Sequence, residues 1–518
     1  MNALYSCCIT DPFLYVAQRL QKEQGINPVY WVGDIKSASK NDSAEHDVKS
    51  TFQGITYHHF LQAWHDVFPD CVEDAAVSSH VDLDFLKHFS YEELQALSMM
   101  DRLDYDRQSF NYMERERHFL NLAKKWTACI NLFNIDVVIA ATTPHRVFDY
   151  VLYLICKYKG IKYITFQVML PGRIYPLLYF SEEDSMKCLL DVDYEKNLLK
   201  TNLSLDMLPK DIMGNYQKLQ GDYKTAIPNY MVKHVSSNVK NANMWFLFKR
   251  FIKSQKLIGK HNMFSEGQTH TNYKNKRYSM ETSHFSLWEW YTLRRGTLKY
   301  NKSLRKLYLS LTTKVSFDVP YIALYLQYQP EATTSPNGNI FSNQMLCVET
   351  LLKNTPDNVM IYVKEHPNQF SSHVQGHTKR IKEFYYDLVM NPRVKLISFD
   401  VDSFTLMENA LAVSTVTGTV GWEATARKKP VIIFGRVWYE RMKGVLKVVD
   451  DATASQIYPF IQNYKYDEHA VLAYLHTIAS HTVRAYHYRG YKDSTGISQE
   501  ESVNNIYNAL LPLIKKEL

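Results

Sequence analysis

The sequence predicts an α/β protein built from two doubly wound domains, because short apolar runs alternate with helix-length amphipathic intervals in both halves of the chain. In the second half the runs recur every ~20 to 35 residues, the spacing that crossover connections require. Length agrees: 518 residues is more than one core usually organises, at ~100 to 200 residues per domain.

The first domain, expected over residues 1–180, opens with the apolar strand LYSCCI and a helix, FLYVAQRLQKEQ, introduced by Asp11 and Pro12 and ended by Gly25. The strand PVYWVG follows, then a polar stretch read as a loop over 35–52 and a further strand over 55–60. A long amphipathic helix at 110–134 leads into the clearest crossover unit: strand 135–140, loop ATTPH, helix RVFDYVLYLICKYKG and strand 161–166. The alternation then fades, and residues 181–315 are expected to form a basic, aromatic extension of the first domain in helices and loops. The second domain, 316–460, resumes with strand YIALYLQ, helix IFSNQMLCVETLLKN, strand NVMIYVKEH, helix HTKRIKEFYYDLVM and strand VKLISF. Helix DSFTLMENA, strand LAVST, helix VGWEATARK and strand PVIIFG complete it, and two helices near 467–480 and 498–515 occupy the terminal segment 461–518.

Composition narrows the class. At 46% hydrophobic and 22% charged residues, neither a wholly disordered nor a fibrous chain fits. Only 18 glycines exclude a collagen-like or glycine-rich chain, and an aromatic content of 14% implies large buried or ligand-facing rings. The seven cysteines, at 7, 8, 71, 129, 156, 188 and 347, make no C-x-x-C pair, so reduced thiols in the cytoplasm are expected in place of a disulfide scaffold or a cysteine zinc site. The opening residues carry no secretory pattern and read as mature protein, and no run of about 18 nearly uncharged apolar residues suggests a membrane span. The net charge is +7, and residues 241–310 hold 14 Lys and Arg against 3 Glu. Within them Lys249, Arg250, Lys253 and Lys256, interleaved with Phe248 and Phe251, suit peripheral contact with an anionic membrane surface; a solvated helix face is the plainer alternative.

In parallel sheets ligands sit beyond the carboxyl ends of the strands. In the second domain these positions are QPEATTSPNG, KEHPNQ, STVTGTVGWE and GRVWYE. Ser414, Thr415, Thr417, Gly418 and Thr419 run directly into a helix, so hydroxyls and first-turn amides face one space, and Gly418 permits close approach; this suits a phosphate, although a hydroxyl cap alone needs no ligand. Glu423 on that helix suits a ribose or sugar hydroxyl, or compensates the helix dipole. His366, between Lys364, Glu365 and the rigid Pro367, suits a phosphoryl oxygen or a leaving group.

Three stretches, YLQYQPEATTSP at 325–336, VKEHP at 363–367 and STVTGTVGWEATARKKPVIIFG at 414–435, together resemble the bacterial capsule polysaccharide biosynthesis family of glycosyltransferases. The resemblance implies the GT-B architecture, two Rossmann-like domains facing a cleft. It further implies a CMP-activated donor of 3-deoxy-manno-octulosonic acid or a related nonulosonic acid, and a glycan or lipid-linked saccharide acceptor. It places His366, Pro367 and the 414–419 loop at the nucleotide phosphate, with Glu423 near the nucleotide and Gln329, Glu331 and Lys364 in the same binding set. The first half is similar only through its crossover pattern, ATTPH and QVMLPGR, and it departs where relatives often carry glutamate in place of Gln167.

On the acceptor side the candidate bases are Asp11, which follows the first strand and also suits helix capping, and His145, which follows the strand at 135–140. Arg173 suits a sugar carboxylate through bidentate pairing, with Gln167 beside it. No tightly bound cofactor and no essential metal are expected, because the Asp-x-Asp pairs at 82–84 and 191–193 lie outside strand-end contexts. The expected enzyme is therefore a metal-independent, inverting glycosyltransferase on the cytoplasmic face of the inner membrane, working beside capsule-assembly proteins. A nucleotide-sugar epimerase is the alternative within the fold. A non-catalytic polysaccharide- or nucleic-acid-binding protein is the alternative outside it; no zinc finger or RNP motif accompanies the basic segment, so nucleic acid is not an expected partner.

Overall fold

The computed structural model describes residues 1–8, 10–33, 44–104, 107, 110–178, 184–221, 245, 248–249, 252, 287–371, 376–487, 492 and 495–515. These form two compact units, one of Met1–Leu97, Tyr112–Ile212 and Ala473–Leu518, the other of Ser98–Asn111 and Met213–Leu472.

In unit 1, β1 (Asn2–Ser6), β2 (Asn27–Gly33) and β3 (Thr56–His59) step to one side of the sheet. The strands β4 (Val137–Ala140), β5 (Lys162–Leu170) and β6 (Arg173–Leu178) step to the other. Pairing is parallel from β3 through β1 to β5, with Ser6, Ala140 and Thr165 in one row. The order reverses between β1 and β4, which makes their carboxyl ends the topological switch point of this unit. The near-continuous burial of β1, β2 and β4 is what a sheet covered on both faces demands.

Unit 2 is wholly parallel. β7 (Thr312–Thr313), β8 (Tyr321–Tyr325), β9 (Met360–Lys364) and β10 (Val394–Ile397) lie on one side, and β11 (Ala412–Thr415), β12 (Val431–Ile433) and β13 (Val445–Lys447) on the other, in the order β13-β12-β11-β8-β9-β10-β7. Its switch point lies between β8 and β11. Ile322, Leu324, Ile361, Val363, Leu396 and Ile432 form the sheet's contribution to the core. The chain then returns to unit 1, where β14 (Val483–Arg484) pairs antiparallel with β6. The final helix, Gln499–Lys515, packs Ile506, Leu510 and Ile514 against the same core as Phe13, Val16 and Leu20 of the first helix, Thr10–Gln24.

The two doubly wound sheets expected from sequence are present. Several boundaries differ. The 181–315 extension of the first domain is divided, because the helix Leu287–Leu311 places Leu304 and Tyr308 in the unit 2 core. The terminal segment 461–518 is likewise shared, its last part completing unit 1. The strand expected over 161–166 runs on to Leu170 and turns back, so Gln167 pairs with Tyr175 inside a hairpin and is not in a strand-end loop. Gly172, at φ +77°, supplies the left-handed residue that this turn needs.

Candidate functional site

At the unit 2 switch point the structure sorts the expected binding residues into a solvent-facing set and a buried frame. His366, Glu331 and Glu423 are half-buried, as is the neighbouring Tyr328, and Pro367 and Thr419 are exposed. Gln329, Lys364, Ser414, Thr415 and Thr417 are buried.

His366 lies two residues beyond β9 and caps a short 3-10 turn, with its Nδ1 accepting from the Asn368 amide at 3.1 Å. Burial lowers its pKa to about 4, with Glu365 opposing. The ring is therefore neutral at pH 7, and because Nδ1 is the acceptor, its proton resides on Nε2. His366 thus presents a neutral N–H donor. The Tyr328 ring lies 4.9 Å from the imidazole, and its hydroxyl donates to Glu331 Oε1 at 2.5 Å. Glu331 also accepts from the Thr333 hydroxyl, so that carboxylate organises the loop after β8.

Across the switch point the helix Thr419–Ala426 starts at Gly418, which provides no side-chain cap. A Cβ on Gly418 would stand 2.5 Å from Gln327 Nε2 and 2.7 Å from Thr415 Oγ1, so only glycine lets these groups close on the backbone. Thr415 Oγ1 accepts from the Gly418 amide at 3.2 Å and from Gln327 Nε2 at 2.9 Å, and donates to Tyr325 O at 3.2 Å. Thr417 donates to Thr333 O at 2.6 Å. Ser414 Oγ is buried without a hydrogen-bond partner. Glu423, one turn into the helix, is raised to about 7 by burial, against the lowering influence of Thr419 and Arg427.

Other side chains from the expected set are committed elsewhere. Lys364 Nζ donates to Val401 O at 2.5 Å and Ser403 Oγ at 2.9 Å, which holds the loop after β10; burial lowers its pKa to about 8. Gln329 is held between Ser342 O at 2.7 Å and Arg380 Nη1 at 2.7 Å. Sequence reading missed Arg380, Gln327 and Tyr385. A charged pair inside a doubly wound core would have been their only signal, and its partners are distant in sequence.

In unit 1, His145 Nδ1 lies 2.8 Å from Thr143 O. A carbonyl can only accept, so Nδ1 donates to it. The His145 amide donates to Asp149 Oδ1 at 3.1 Å, fixing the loop on the first turn of the helix Val147–Lys159. Asp11 is buried, its Oδ1 accepting from the Tyr486 hydroxyl at 2.7 Å and its Oδ2 lying 3.3 Å from Lys492 Nζ. Arg173 differs from its expected role: Nε and Nη2 donate to Asp211 at 2.7 and 2.9 Å, and Nη1 to Thr482 O at 3.4 Å, so the guanidinium fork is filled internally.

Asp82 caps a helix by accepting from the Asp84 amide at 2.8 Å, and Asp193 pairs with Lys196 and His481. Among the described residues no cluster of three His, Cys, Asp or Glu could hold a metal ion, and no helix is long and apolar enough to cross a membrane. Arg250, Phe251, Lys253 and Lys256 of the basic cluster lie outside the described residues.

The capsule polysaccharide modification protein LipA of Neisseria meningitidis serogroup A is 33% identical over 94 residues, 18% of this chain and 12% of LipA. The serogroup B protein of the same description is 31% identical over an equal span. The chain thus covers about an eighth of the curated relatives it matches. Among solved structures, the UDP-GlcNAc 2-epimerase of Methanocaldococcus jannaschii aligns over 90% of this chain and 94% of its own, at 12% identity and a TM-score of 0.24. Thermosulfurimonas dismutans KpsC, described as a beta Kdo 2,7 transferase, aligns over 74% and 89%, at 11% identity and a TM-score of 0.28. At these scores neither structural likeness carries an argument about the site. The sequence likeness is more local: residues 333–489, which include His366, Arg380, Gly418 and Glu423, match the family described as capsule polysaccharide biosynthesis protein.

Proposed function

We propose that this chain is a glycosyltransferase of bacterial surface-polysaccharide synthesis. In this reading it transfers an acidic sugar, of the 3-deoxy-manno-octulosonic or nonulosonic class, from a CMP-activated donor to a saccharide acceptor. The observation that carries the reading is the pairing, around one switch point, of a neutral Nε2–H donor at His366 with a helix start at Gly418 that has no side-chain cap. Charge building on a departing phosphate is stabilised by oriented donors and by the positive end of a helix. The capsule-family match over this segment supports the polysaccharide context, and the motif resemblance supports CMP. In unit 1, His145, which follows β4, is the candidate base for the acceptor hydroxyl.

A thermal-shift series with CMP, UDP and GDP tests the donor, since a ligand of the folded state raises its melting temperature by mass action. CMP is expected to give the largest rise; preference for UDP or GDP would overturn the donor assignment. Incubation with the matching nucleotide sugar then separates transfer, which requires acceptor, from interconversion of the sugar alone, which would identify an epimerase.

Glu423 adds a pH signature. With a pKa of about 7 it is largely protonated at pH 6 and largely ionised at pH 8, and the carboxylate is the stronger acceptor for a ribose hydroxyl. Nucleotide affinity is therefore expected to rise with pH across this interval. Glu423→Gln should flatten the profile and weaken binding about tenfold at the upper end, a difference of about 1.4 kcal/mol. Calorimetric titration at several pH values checks this, and identical profiles for both proteins would leave Glu423 with only a structural role.

A further inference from the structure

The loops that follow β8, β9 and β11 are joined through one buried ion pair. Glu365 and Arg380 are each 1% exposed. Glu365 Oε2 accepts from Arg380 Nε at 2.9 Å and from the Tyr385 hydroxyl at 2.8 Å, while Oε1 accepts from the His366 amide at 2.9 Å. The remaining guanidinium nitrogens donate to Gln329 Oε1 at 2.7 Å and Gln327 O at 3.3 Å. Gln327 in turn reaches Thr415 Oγ1 at 2.9 Å, the atom that accepts the Gly418 amide at 3.2 Å. An unbroken set of contacts thus runs from the main chain of His366 to the start of the helix at Thr419.

Buried ion pairs are weak stabilisers, because desolvation offsets their attraction and well-packed neutral replacements are often as stable. The geometry offers a stronger reason for this one. A planar guanidinium reaches three partners from three separate nitrogens in fixed coplanar directions, a spread that the single nitrogen of an ammonium does not have. We propose that Arg380 and Glu365 are positioning residues that hold the His366 donor and the Gly418 helix start in one preset arrangement for a phosphoryl group. The ligand class in this inference rests on the nucleotide-sugar reading of unit 2.

Three proteins test it: Arg380→Lys, the neutral double variant Glu365→Gln with Arg380→Met, and the parent. The double variant is expected to melt within a few degrees of the parent, yet both variants should bind CMP and UDP at least tenfold more weakly. In ligand-free protein the amides of His366 and Gly418 should exchange hydrogen faster in each variant. Nucleotide affinity that recovers together with the melting temperature would overturn the proposal, because the pair would then serve folding alone. Unchanged exchange at both amides would also overturn it. If the parent binds none of CMP, UDP and GDP, the nucleotide reading fails by itself, and the exchange rates still decide whether the pair fixes these two loops.

Discussion

His366→Ala is expected to slow sugar transfer about a hundredfold while the protein stays folded, since loss of one oriented donor to developing charge costs about 3 kcal/mol. The side chain has a second, smaller task as the cap of the Asn368 amide. Losing a cap costs about 1 kcal/mol, which in a protein of this size lowers the melting temperature by only a few degrees. His366→Gln, which keeps an N–H donor on a side chain of similar reach, is expected to recover part of the rate. The pH profile provides a separate check. With its pKa held near 4 by burial, His366 does not change charge around the ordinary histidine value of about 6.5, so the parental rate should show no step there that His366→Ala removes. Parental turnover in the alanine variant, with a normal melting curve, would show that the imidazole does not serve the phosphate.

The central parallel strands of unit 2 are legible in sequence because they are buried on both faces and read as apolar runs: YIALY, MIYV and VII stand out without periodicity. The loop entering Thr419 is legible for a different reason, its density of hydroxyls beside a glycine. By contrast β7 and β14 are two residues each, too short to carry a pattern, and they exist only because a neighbouring edge is available. The hairpin of β5 and β6 was obscured by Gln167, whose polarity imitates a strand end, although Pro171 and Gly172 signal the turn. Arg380 was hidden more deeply. It sits in the polar stretch HTKRIK, which has the composition of a solvated surface, and only tertiary packing against Glu365 and Phe384 reveals it as buried. Single residues therefore announce the ligand-facing side chains, whereas the frame that orients them joins positions far apart in sequence, 53 residues between Gln327 and Arg380 and 88 between Gln327 and Thr415.

The same separation bears on the two candidate bases of unit 1. Sequence order favours Asp11, the first carboxylate after β1, but its oxygens are engaged by Tyr486 and Lys492, and an acceptor proton would have to compete with both. His145, in the loop after β4, is held differently from His366: its Nδ1 donates to Thr143 O, and its amide donates to Asp149. His145→Ala is accordingly expected to lower turnover by ~10²- to 10⁴-fold with nucleotide affinity unchanged, because unit 2 is untouched. Asp11→Asn keeps the shape and an acceptor for Tyr486 but loses the ion pair with Lys492, so it should reduce stability modestly and turnover only a few-fold. Single-turnover rates in both variants, measured beside calorimetric nucleotide binding, separate the assignments. A folded Asp11→Asn protein that binds nucleotide normally but no longer transfers sugar would return the base to Asp11, and His145→Ala at the parental rate would remove His145 from the chemistry.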